Sequence, residues 1–172
     1  TAPIVSSGGT TPSISITAAT TVAAGSMSAA DKAKIDLLGL SGSWTPTLTF
    51  TTPGDLNVVY GTRAGFWMRN GAVVTFNFVI ITTTFTFTTA SGNLIVSGLP
   101  FSLANISQAP GKLDWQGITK ASYTEISAVM LSGGSAIQFI ASGSGQARSN
   151  IVNGNVVSGT QVTLSCSMSI PV

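Results

Sequence analysis

Between Gln161 and Ile170 the chain alternates without a break: Val162, Leu164, Cys166, Met168 and Ile170 against Gln161, Thr163, Ser165, Ser167 and Ser169. A period of two sustained over this length fits a strand with one buried and one wet face. It does not fit a helix, whose apolar positions recur every three to four residues. Cys166 falls on the core face, where a lone thiol reads as a small hydrophobe.

The same signal recurs upstream. Thr45–Phe50 alternates, and the strand-like runs Arg63–Arg69 and Ala72–Ile80 are separated by Asn70-Gly71. That dipeptide marks two-residue hairpin turns in which both central residues take positive φ. In the second arm Val74, Phe76, Phe78 and Ile80 share one face, and Val73, Thr75, Asn77, Val79 and Ile81 the other. Both faces are rather apolar, which predicts a strand covered on both sides. Further short strands are expected near Leu94–Val96, Leu113–Gln116, Tyr123–Leu131 and Ala136–Ala141, with breaks at Gly133-Gly134, Gly143–Gly145 and Asn153–Gly159. Residues 44–172 therefore read as an all-β domain, an antiparallel β-sandwich of jelly-roll type.

The N-terminal part differs. Residues 1–26 are of low complexity and read as an extended segment stabilised by a partner, with Ile14–Thr17 able to pair as a strand. Residues 27–43 carry a short helix and a linker. Ser28-Ala-Ala-Asp31 has the form of an N-cap box, Asp31 and Lys34 sit at i, i+3, Gly39 is the expected stop, and Ser41–Ser43 reads as linker. About ten residues is too short for an isolated helix in water, so it must lean on something. Its apolar side chains Met27, Ile35 and Leu38 could dock on its own β domain; packing around an axis against copies of itself, with Lys32 turned outward, is the favoured reading.

Charge bounds the function. There are seven Lys/Arg and five Asp/Glu, 7% of the chain, against about 25% for ordinary soluble domains. A surface this poor in charge is easily desolvated against other copies and resists aggregation weakly, which favours a closed oligomer. The cations are scattered rather than clustered, which argues against nucleic-acid binding. The longest apolar stretch, Val73–Ile81, is interrupted by Thr75 and Asn77, so no membrane insertion is expected. Nothing at Thr1 reads as a signal peptide.

Catalytic and metal chemistry find little support. Histidine is absent and cysteine occurs once, which removes the commonest general base and any ordinary zinc site. Asp55, Asp114 and Glu125 are the carboxylates of the β region, and Gly54-Asp55-Leu56-Asn57 is a weak oxygen-ligand pattern. The expectation is no catalytic residue, no metal and no cofactor. Aromatic side chains remain as binding groups, since Trp and Tyr join a flat apolar face to a hydrogen-bonding tip. Trp44 is expected to anchor the strand domain to the helix. Of the adjacent pair Trp67 and Met68, one should face outward. Trp115 and Tyr123, flanking the Gln116–Ser122 loop that carries Lys120, are the preferred surface aromatics. Arg148, in the Gly-rich Ala141–Arg148 loop, suits an anionic sugar or phosphate.

Two stretches resemble the C-terminal part of tailed-bacteriophage fibre proteins. Ile16–Asp36, ITAATTVAAGSMSAADKAKID, is similar to the A-G-x-M-S-A-A-D-K-x-K-L-D segment of fibre stalks. Ser43-Trp-Thr-Pro-Thr-Leu-Thr-Phe50, then Tyr60-Gly-Thr-Arg-Ala-Gly-Phe66, Val73–Ile81 and Gly98-Leu-Pro-Phe101 follow the layout of a fibre-tip sandwich. The resemblance covers residues 14–101; residues 102–172 match only as strand-rich sequence. Trp67-Met-Arg-Asn-Gly71 departs from the Lys-Ile-Gly-Asn-like turn more usual there.

The resemblance implies a homotrimer with a head on a thin stalk, located on the virion as a tail fibre or other appendage. It implies binding to a bacterial surface glycan or protein receptor, and other virion proteins as partners on the N-terminal side. The alternative is a capsid fibre, decoration or baseplate appendage of structural role; a glycan-cleaving enzyme is a third reading. No family binding residue transfers. Trp115, Tyr123, Lys120 and Arg148 are the expected receptor contacts, and Ile35, Leu38 and Met27 the expected trimer contacts.

Overall fold

The computed structural model describes residues 4–16, 18–23, 25–104 and 106–172. The chain divides into two compact units, Thr1–Leu40 with Arg69–Gly71, and Ser41–Met68 with Ala72–Val172. The described residues are mostly antiparallel β with a single α-helix. None of their helices is long and apolar enough to cross a membrane.

In the first unit, β1 (Ile4–Ser6) pairs antiparallel with β2 (Ile14–Ile16), so the Ile14 segment finds its strand partner within its own chain. Thr17, the last residue of the expected strand, lies outside the described residues. Helix α1 (Ala29–Asp36) starts as its sequence predicts. Ser28 Oγ accepts the Asp31 N–H at 3.1 Å and donates to the Asp31 carboxylate at 2.7 Å. Lys32 pairs with Asp36, and Lys34 lies 3.9 Å from Asp31.

The helix stops sooner than expected. Leu37 caps it and β3 (Leu38–Trp44) begins at once, so Leu38 and the supposed linker Ser41–Ser43 are strand. The reason is a contact distant in sequence. The Leu37 carbonyl accepts the Gly71 N–H at 3.2 Å, and the chain leaves the helix to meet the end of the hairpin. Gly39 is not the stop but a residue of β3, with a φ of 73°. In the single chain α1 buries none of its side chains. Ile35 is 50%, Leu38 54% and Met27 36% exposed.

The second unit is built on one long, curled sheet. Its strands are β4 (Thr47–Thr52), β5 (Asn57–Asn70), β6 (Val73–Thr86), β7 (Ser91–Ser97), β8 (Gln108–Gln116), β9 (Glu125–Leu131), β10 (Ile137–Ser142), β11 (Ser149–Asn150) and β12 (Thr163–Pro171). The order is β3-β5-β6-β12-β8-β9-β10-β7-β4, with β11 beside β10. The β5–β6 turn uses Gly71 and Ala72 rather than Asn70 and Gly71. Only Gly71 takes a positive φ, 62°, at the first central position where a II′ turn wants glycine.

Strand β8 is the joint of the curl. Lys112–Gln116 pairs with β12, whereas Gln108–Gly111 pairs with β9. The change falls between Gly111 and Lys112. A Cβ on Gly111 would stand 3.0 Å from Met168 Cβ and 3.1 Å from the Ser167 carbonyl oxygen, so a larger residue would press on β12 at this bend. The inner face holds the core. The β12 alternation is realised, with Leu164, Cys166, Met168 and Ile170 buried. On β6, Val74, Phe76, Phe78 and Ile80 point inward as expected, but the opposite face is open: Val73 is 46% and Val79 36% exposed. No second layer of described residues covers it. Phe66 and Met68 on β5 are exposed as well, while Trp67 turns in to pack edge-on against Phe101 at 4.8 Å.

Trp44, expected to anchor the strand domain to the helix, is a core residue. It lies in the core of the strand unit, edge-on to Phe76 and Phe78 at centroid distances of 6.2 and 5.9 Å. Its indole N–H has no partner among the described residues. The ring lies over Gly65, where a Cβ would stand 2.3 Å from Trp44 Nε1. Gly65→Ala should therefore overpack the core at a cost of about 1–3 kcal/mol, a fall in Tm of roughly 3–10 °C. Adding Trp44→Phe should recover part of the loss, because the smaller ring makes room and carries no orphan donor. Thermal melts of the two single variants and the double variant check the coupling.

Candidate functional site: an aromatic cleft at the end of beta 8

Strand β8 carries Leu113 and Trp115 on its inner face. Leu113 is buried in the core; Trp115 continues that face to where the core ends, so it is only half-buried. Beyond it the chain leaves the sheet. Gly117 turns with a φ of 84°, and a Cβ there would stand 2.2 Å from the Gln161 carbonyl oxygen. Ile118 bridges Val156, and the Thr119 N–H donates to the Asn155 carbonyl at 2.9 Å. A tight turn follows, closed by the Tyr123 N–H on the Lys120 carbonyl at 3.4 Å, with Ser122 at a φ of 67°. A non-glycine residue in that conformation is uncommon, and here it sets Lys120 and Tyr123 side by side.

These elements enclose an open cleft of about 440 Å³ lined by Trp115, Lys120, Tyr123 and Glu125 among others. Three of the four residues expected to contact a receptor thus come together. Arg148 does not join them: it donates to Gln108 Oε1 at 3.3 Å and lines no part of the cleft. The Tyr123 hydroxyl donates to the Ala147 carbonyl at 2.9 Å, which fixes the ring. Lys120 Nζ donates to the Asn150 carbonyl at 2.6 Å and to Asn155 Oδ1 at 3.3 Å, and lies 5.6 Å from the Tyr123 ring centre. Asn155 Oδ1 also accepts the Val152 N–H at 3.0 Å. Asn155, together with the Asn150 carbonyl, therefore positions Lys120. Nothing in its Asn-Gly-Asn context announces this, because the contact spans a distant loop.

Other aromatic and charged groups of the β unit have different places. Tyr60 is structural: its hydroxyl accepts the Leu48 N–H at 3.0 Å, and Arg63 stacks over its ring. Asp114 and Lys112 face a separate, flatter groove on the outer side of the sheet, with Asn77, Ser165 and Ser167. Asp114 and Glu125 thus open onto different clefts. Cys166 is buried, and burial pushes its thiol up to about 12.

Asp55 is neither a free acid nor an open oxygen ligand. The Thr88 hydroxyl and N–H and the Thr89 N–H and hydroxyl all donate to its carboxylate. Those donors, the Thr88 hydroxyl foremost, hold the carboxyl well below its usual range. The unfolded chain, with an ordinary carboxyl near 3.8, therefore takes up a proton first as pH falls. The stabilisation is fully present above about pH 4 and is lost progressively in acid below it. Asp55→Asn should lower Tm at pH 7 and flatten its decline between pH 5 and pH 2; melts across that range are the check.

No family model matches this sequence, and no curated protein matches it. One solved structure does share its arrangement. It is the crystal structure of the Dettilon tailspike protein, which superposes at a TM-score of 0.58 over 77% of this chain, with 16% identity. The match takes in 24% of the tailspike chain. At that identity the likeness is one of fold.

Proposed function

We propose that this chain is part of a bacteriophage virion appendage, a homotrimeric fibre whose β head binds a glycan on the bacterial surface. The observation that carries the binding role is the cleft: two aromatic rings, each with a polar tip, set beside an ammonium and a carboxylate. Flat rings stack on the apolar faces of sugars, and fixed polar groups read their hydroxyls. The shared fold with a tailspike supports the location on a virion. Trimer formation is supported by Met27, Ile35 and Leu38, apolar side chains left exposed around a helix too short to stand alone. Val73, Val79, Phe66 and Met68 on the sheet's outer face are further surface for neighbouring copies or virion proteins.

Binding without cleavage is the reading preferred here. Glycosidases work with two carboxylates about 5–9.5 Å apart across one bond. Among the described residues Glu125 is the one carboxylate lining the cleft. The test is competition. Purified protein should coat host cells and block phage adsorption, and should leave the host polysaccharide at its original length. Failure to coat or compete removes the receptor role; shortened polysaccharide replaces binding with cleavage.

A further inference from the structure

The charges in the cleft are not equivalent. The Lys120 ammonium has three N–H donors, and two are taken by the Asn150 carbonyl and Asn155 Oδ1. Glu125 opens β9, is exposed, and its carboxylate has no hydrogen-bond partner among the described residues. Arg148, the guanidinium nearest along the chain, is turned to Gln108. A ligand entering the cleft therefore meets one free anion, one ammonium with a single donor left, and two aromatic faces.

We infer, resting on the glycan-binding reading above, that the cleft takes an uncharged sugar and rejects its acidic counterpart, and that Glu125 is the residue that discriminates. The ring of a neutral pyranose stacks on Trp115 or Tyr123. One of its hydroxyls donates to the Glu125 carboxylate and another accepts the remaining N–H of Lys120. A uronic acid or phosphorylated sugar in the same place sets a second anion beside Glu125, and Lys120, drawn toward the Asn150 carbonyl and Asn155 Oδ1, has one N–H left to turn toward it. Specificity then comes from the repulsive element as much as from the attractive ones. Arg148, which suited an anionic sugar or phosphate, lines no part of this cleft and does not bear on the choice.

The experiment uses the full chain and one polysaccharide from the host surface in two forms. One has its acidic groups removed, carboxyls reduced to alcohols and phosphates cleaved; in the other the primary alcohols are oxidised to carboxylates. Calorimetry should show the neutral form bound more tightly by about tenfold at low salt, with the gap narrowing as salt rises. In Glu125→Gln the gap should close to within about threefold while the neutral form still binds, since the amide oxygen still accepts a hydroxyl proton. Equal binding of both forms by the unaltered protein overturns the inference, and so does a gap that Glu125→Gln leaves unchanged. Loss of the glycan-binding reading itself would look different: Trp115→Phe and Tyr123→Ala would leave the affinity for both forms untouched.

Discussion

Alanine at Trp115 and Tyr123 together should reduce binding of the protein to host cells to background. Truncating an aromatic anchor at the centre of a binding site costs about 2 kcal/mol or more, roughly thirtyfold in affinity per site. In a trimer the loss compounds, because three weak sites act through effective concentration. The single variants separate the contributions. Tyr123→Phe keeps the ring and gives up only the hydrogen bond to the Ala147 carbonyl, so it should retain most of the binding. Trp115 rests partly on the core, so Trp115→Ala should also lower Tm; Trp115→Phe preserves much of that packing and isolates the loss of the larger ring. Binding to cells by flow cytometry, read beside a thermal melt of each variant, is the measurement.

Ile35→Asp combined with Leu38→Asp should convert the proposed trimer to monomer. Both side chains are half exposed in the single chain. A charge at either position would be desolvated in an interface without a partner, yet costs the monomer little. Light scattering should read a mass near one third of the parent's. Adhesion to cells should fall by roughly 10²–10⁴ through lost avidity, while the affinity for a single short oligosaccharide stays the same. An unchanged mass would mean that these side chains do not hold the copies together.

Much of the fold was legible because sheets write themselves into sequence with a period of two. The β12 face of Leu164, Cys166, Met168 and Ile170, the inward face of β6, and the Ser28 cap follow from local pattern alone. Where local signals competed with long-range pairing, pairing prevailed. The Leu37 carbonyl bonds to Gly71 across the chain, so the helix ends early and Gly39 becomes part of a strand. Asn70-Gly71 promised a turn centred on both residues, but strand pairing extends through Asn70 and shifts the turn by one. The curl at Gly111-Lys112 is invisible until Met168 is known to lie against Gly111.

The cleft was legible in part. Trp115, Lys120 and Tyr123 are close in sequence and held by one turn, so composition and a flanking loop were enough to pick them. Glu125 read only as one of three carboxylates. Arg148 was chosen for its Gly-rich loop, and its hydrogen bond to Gln108, forty residues away, could not be anticipated. Asn155 was missed for the same reason. Trp44 looked like an anchor between helix and strand domain because it follows the supposed linker; the linker is a strand, and its last residue faces the core.

The most direct measurement is a titration of isotope-labelled protein with a short oligosaccharide from the host surface, followed by amide and indole shifts. The expected result is movement of the Trp115 indole N–H and of the Lys120, Tyr123 and Glu125 amides, saturating together. Shifts confined to Asn77, Lys112, Asp114 and Ser167 on the outer face, or no shifts at all, would contradict a glycan site at the end of β8.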